Sequence, residues 1–135
     1  MQTLTAAALA IAVLAAKIAT AQTVQPPTNR PTSSIGYSSV AAALESVRTK
    51  PGVSVSVQSG WTVIEDRTNL TIWSFTPSNH PAHPAAFRRT ITEKDGAFFV
   101  QTDGLCEATK PACDKLMAEF QELNDKVRDA LSKKR

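Results

Sequence analysis

The stretch "VSVSVQSGWTVIEDRTNLTIWSF" (residues 53–75) decides how this chain folds. Its first part alternates strictly, placing Val53, Val55 and Val57 on one side and serines on the other, the period of a half-buried strand. Ser59-Gly60 reads as a tight turn, and "WTVIED" (61–66) as a second strand. After a short connection through Arg67 to Asn69, "LTIWSF" (70–75) is a third strand rich in β-branched and aromatic residues. Connections this short join neighbouring antiparallel strands, so the segment predicts the start of a meander.

Reading toward the C-terminus, "FRRTITEK" from Phe87 is a fourth strand and "AFFVQT" from Ala97 a fifth. Asp95-Gly96 between them is a strong signal for a two-residue hairpin turn. The link between the third and fourth strands, 76–86, is much longer than an ordinary hairpin loop. It contains "SNHPAH", and with it both histidines of the chain, His80 and His83. Pro81 and Pro84 predict that this link is held extended. Beyond the sheet, Leu116, Phe120, Leu123, Val127 and Leu131 recur at steps of four, three, four and four, one stripe of a long helix. Pro111 suits its first turn.

Reading toward the N-terminus, "VAAALESVRTK" (40–50) places Val40, Ala43, Leu44 and Val47 on one helical stripe. Ser38 or Ser39 supplies an N-cap, and Pro51-Gly52 ends the helix. Residues 22–36 are rich in Pro, Thr and Ser and read as a disordered leader. Residues 6–16 form a short apolar run, and Ala19-Thr20-Ala21 matches a signal-peptidase pattern with the cut before Gln22. The expected organisation is therefore a signal peptide (1–21), a leader (22–36) and a single α+β domain (37–135). The domain has an N-terminal helix, a five-stranded antiparallel meander and a long C-terminal helix packed on one sheet face, in two layers.

Export predicts a periplasmic or secreted protein, and its two cysteines, Cys106 and Cys113, then pair. Seven continuous helical steps would hold their Cα atoms about 10 Å apart, beyond a disulfide's reach of about 4.4–6.8 Å. The bond therefore requires the chain to turn between them.

Charge narrows the functional classes. Losing Lys17 with the signal peptide leaves one basic side chain fewer than the 15 of the whole chain, against 12 acidic ones. So even a balance gives no electrostatic reason to expect nucleic acid. There is no glycine-rich phosphate loop and no G-x-S-x-G elbow, so the reading is not an enzyme and needs no cofactor. Two histidines are an incomplete metal shell, which leaves a periplasmic metal-binding protein using His80 and His83 as the alternative. The leading expectation is a non-catalytic binding or accessory protein of the cell envelope. Asn79, His80, His83, Arg88 and Arg89 are its contact residues, with Trp73 and Phe75 supporting them from the sheet. Arg88 and Arg89 point to opposite faces if the fourth strand is regular. The expected partner is a protein or a small envelope ligand. No membrane anchor is expected after cleavage, and the chain would be a monomer or homodimer.

The combination of W-S-F-T-P, H-P-x-x-P, E-K-D-G and two cysteines before a C-terminal helix resembles a set of small exported proteobacterial proteins over about residues 37–124. The resemblance implies an exported α+β domain and no particular activity. Some such sequences carry a J-domain chaperone label. A J domain is a helical hairpin tipped by His-Pro-Asp, whereas here Ala82 follows His80-Pro81 between strands.

Overall fold

The computed structural model describes residues 33–134. The expected signal peptide and residues 22–32 of the expected leader lie outside the described residues. The elements are α1 (Val40–Arg48), β1 (Ser54–Gln58), β2 (Trp61–Asp66), β3 (Thr71–Phe75), β4 (Ala85–Lys94), β5 (Ala97–Cys106) and α2 (Lys110–Ser132). The strands form one antiparallel sheet in the order β1-β2-β3-β4-β5, a meander. Both two-residue turns fall where the sequence puts them. Ser59 and Gly60, and Asp95 and Gly96, all take positive φ, the backbone that matches the twist of a tight hairpin. β5 runs four residues past the predicted strand, to Cys106, and β4 starts two residues earlier than expected.

The sheet is covered on both sides, so the molecule has three layers where two were expected. On one face, α1 packs Val40, Ala43 and Val47 onto Ile64, Trp73, Phe75 and Ala86 of β2–β4. Ser39 caps the helix by accepting from the Ala42 N–H at 3.1 Å. The Glu107 carboxylate accepts from the Val40 N–H, placing negative charge where the helix dipole favours it. Ser33 to Gly36, expected at the end of the leader, form a turn, and Ile35 is buried in the same core. α1 is too short to reach the outer strand, so Val55 and Val57, expected in the core, are exposed, Val57 at 72%.

On the opposite face, α2 buries Leu116 and Phe120 against Phe87, Ala85 and the loop residue Ala82. The Phe87 and Phe120 rings stack with centroids 4.3 Å apart. Gly104 of β5 lies directly beneath: a Cβ there would meet the Phe87 ring at 2.7 Å and Met117 at 3.1 Å. The Cys106–Cys113 disulfide joins the last residue of β5 to the first turn of α2, with Cα atoms 5.8 Å apart. The chain turns at 107–109 to bring them together, as the spacing requires. Closing this short loop contributes roughly 2–3 kcal/mol in the chain-entropy picture.

Asp66, at the end of β2, is buried and ties α1 to the sheet. It accepts from Lys50 Nζ at 2.7 Å and from the Asn69 side-chain and backbone N–H groups at 2.8 and 3.1 Å. These bonds, the lysine's first, hold its pKa down at about 2. An unfolded Asp titrates near ~3.9, so the network's contribution is complete above that value and disappears as pH falls through about 2. Asp66→Asn should therefore be less stable than the parent at neutral pH, and the gap should close on acidification from about pH 5 to pH 2. Urea unfolding across that range measures it; a gap independent of pH would contradict the network.

Candidate functional site

Arg88 and Arg89 occupy adjacent positions of β4 and, as strand alternation requires, opposite faces. Their surroundings differ. Arg88 lies on the α1 side, where its guanidinium sits 5.8 Å from the Trp73 ring centroid. It donates to Asp103 at 2.9 Å and to the Ser34 carbonyl at 3.0 Å. Its charge is answered within the fold, so Arg88 belongs to the packing of the N-terminal turn.

Arg89 lies on the α2 side. Its guanidinium is 5.4 Å from the centroid of Phe120, and its Nε is sealed from solvent without a hydrogen-bond partner. None of the ion pairs among the described residues includes it. Burial pushes its pKa down from the ordinary arginine value, yet a guanidinium keeps its proton at any physiological pH. A half-buried cation without a counter-charge is costly.

That cation opens into a cleft of about 360 Å³. The cleft exists because α2 lies along β5, covering the same face of β2 and β3 only in part. Val63, Ser74 and Arg89 line its sheet side, Trp61 stands at the β1–β2 turn, and Leu116, Glu119, Phe120 and Leu123 form the α2 wall. The Trp61 ring meets Phe120 edge-on at 5.9 Å and His80 edge-on at 5.2 Å. Glu119 and Leu116 are shared with a smaller hollow that His80 and Pro81 line, so His80 stands at the rim of the cleft.

The long loop is folded, not extended as its prolines predicted. The His80 N–H donates to the Pro77 carbonyl at 3.0 Å and the His83 N–H to the His80 carbonyl at 2.9 Å, two consecutive turns. Thr76 closes the neck: its hydroxyl accepts from the Ala85 N–H at 2.9 Å. Ala82 is 1% exposed and docks the loop into the α2-side core. The histidines are held by different partners. His80 Nδ1 accepts from the Ala82 N–H at 3.0 Å, which puts the neutral ring's proton on Nε2. His83 Nδ1 lies 3.1 Å from the Thr76 carbonyl and 3.2 Å from the Thr76 hydroxyl, so both of its contacts are to the neck of the loop. Among the described residues, no three His, Cys, Asp or Glu side chains gather to hold a metal ion.

Of the residues singled out from the sequence, the cleft takes Arg89 and, at its rim, His80. Asn79 and His83 are exposed on the loop, away from it. Trp73 and Phe75 stack on each other beneath α1, on the side of the sheet away from Arg89 and the docked loop, where Trp73 faces Arg88. Trp61, Ser74, Glu119, Phe120 and Leu123 were not anticipated as site residues. Trp61 and Val63 do alternate onto the Arg89 face in the strand pairing, but only the position of α2 turns that face into a cleft.

No protein-family model, curated protein or solved structure matches the chain.

Arg89→Met keeps the apolar stem and removes the unanswered charge. It is expected to raise unfolding stability by about 0.5–2 kcal/mol, the usual gain from relieving a locally unfavourable group. A comparable loss in urea unfolding would show that Arg89 supports the fold.

Proposed function

We propose that the chain is an exported, non-catalytic binding protein of the cell envelope, and that it takes a small ligand in the cleft between α2 and the β2–β3 part of the sheet. The observation that carries this reading is Arg89. Its neighbour Arg88 is fully answered by Asp103 and Ser34, whereas Arg89 lies against the Phe120 ring with its Nε sealed and unpartnered and, among the described residues, no ion pair. A cation placed at such cost within a cleft of ligand size is the chemistry of recognition. Gln58, Ser59 and Ser74 add amide and hydroxyl groups that supply hydrogen bonds, and Glu119 adds a carboxylate on the α2 wall.

Export is supported by the apolar run at 6–16, by Ala19-Thr20-Ala21 and by the disulfide, a bond that persists in oxidising compartments. Among the described residues, no helix is long and apolar enough to cross a membrane. The metal reading of His80 and His83 would require His80 to give up the lone pair that holds Ala82, and nothing in the geometry favours it over the cleft.

Two measurements test this reading. Mass spectrometry of the chain recovered from a bacterial periplasmic fraction should find Gln22 as the first residue and one disulfide. A panel of small neutral, cationic and anionic compounds should include some that shift the indole N–H resonance of Trp61 saturably. The resonance of Trp73, buried under α1, should stay in place. A panel that moves neither resonance would overturn the cleft as the binding site.

A further inference from the structure

We infer that the cleft is built for a small monocarboxylate with an apolar body, its carboxylate on Arg89 and its body between Trp61 and the Phe120–Leu123 side of α2. The inference rests on the cleft reading above and adds the chemical class.

Charge selects the carboxylate. Of Arg89's nitrogens, only Nε is both sealed and unpartnered. The terminal amino groups form no hydrogen bond to a described residue and remain reachable from the cleft. They present two parallel donors, the pattern that a carboxylate accepts bidentately. Burial that makes the lone cation costly also strengthens its attraction for an incoming anion, because the local dielectric is low.

The walls select the body. Trp61, Val63, Leu116, Phe120 and Leu123 are apolar, and Leu123 at the mouth is 42% exposed. Trp61 and Phe120 stand edge to face, leaving an aromatic corner beside the cation. About 360 Å³ suits a ligand at the small end of the usual range.

Glu119 sets the ligand's charge. It lines the same cleft, yet lies beyond ion-pair reach of Arg89, so it does not neutralise the arginine. One negative charge can settle on Arg89 away from it, but a dianion would bring its second charge toward a carboxylate. Repulsion of this kind discriminates against phosphate monoesters.

The test follows the Trp61 indole resonance of the oxidised full chain during titration with 3-phenylpropanoate, octanoate, their primary amides, 3-phenylpropylamine and phenyl phosphate. The acids should produce saturable shifts, with the amides and phenyl phosphate at least about tenfold weaker, roughly the cost of losing one charge-assisted contact. Arg89→Met should lose the acids by a similar factor while the Trp73 resonance reports an intact fold. Arg89→Lys should keep part of the affinity, and Glu119→Gln should bind the acids several-fold more tightly and narrow the gap to phenyl phosphate. Amides or the amine binding as well as the acids would overturn the carboxylate assignment while leaving the cleft as a binding site. Unchanged acid binding in Arg89→Met would do the same. If no compound moves Trp61, the cleft reading falls with it.

Discussion

The Phe87–Phe120 stack fixes the position of α2, and most of the molecule follows from that position. With the two rings 4.3 Å apart, the helix cannot slide across the sheet without opening the α2-side core. Gly104 lets the pair sit against β5, since any side chain there would strike the Phe87 ring. The Cys106–Cys113 bond then fixes the start of the helix at the end of the same strand. Three constraints of different kinds, dispersion, steric clearance and a covalent staple, set one helix along one edge of the sheet.

The consequence is offset coverage. On the α1 face, a nine-residue helix covers the middle of the sheet and leaves the outer strand β1 bare. On the α2 face, a 23-residue helix lies along β5 and covers β2 and β3 only in part, leaving a cleft beside them. The side of α2 forms its wall. Arg89 reaches it because strand alternation sends every second residue of β4 to that face, and Phe120 gives its guanidinium an aromatic surface to lie on. The opposite neighbour, Arg88, meets Asp103 and Ser34 instead.

Element by element, much of this was legible in the sequence. The alternation at 53–58, the Ser59-Gly60 and Asp95-Gly96 turns and the stripe of 116–131 are local signals, and local physics delivers them. Two cysteines in a chain with an export pattern indicated the disulfide, and their spacing required the turn between them. What alternation cannot say is which helix covers which face. Trp73 and Phe75 were expected to support the contact residues from the sheet, but their side of β3 belongs to α1, so they serve the core and not the loop. The stripe of α2 is buried only at Leu116 and Phe120, because the later turns face the cleft or solvent. The loop misled for a related reason. Its prolines argued for extension, whereas two backbone turns and the Thr76 hydroxyl, contacts made only in the folded chain, curl it onto the α2 core. Arg88 and Arg89 were separable in direction but not in environment, since the difference lies entirely in what each face meets.

A double-mutant cycle at Phe87 and Phe120 measures whether the ring stack holds α2 in place. Unfolding free energies of the oxidised parent, Phe87→Leu, Phe120→Leu and the double variant give the coupling between the two rings. Each single substitution should be destabilising, and the two should couple by about 0.5–1.5 kcal/mol, as an aromatic pair in contact does. Additive effects, with no coupling beyond error, would mean that the rings do not stack and that α2 is held elsewhere on the sheet.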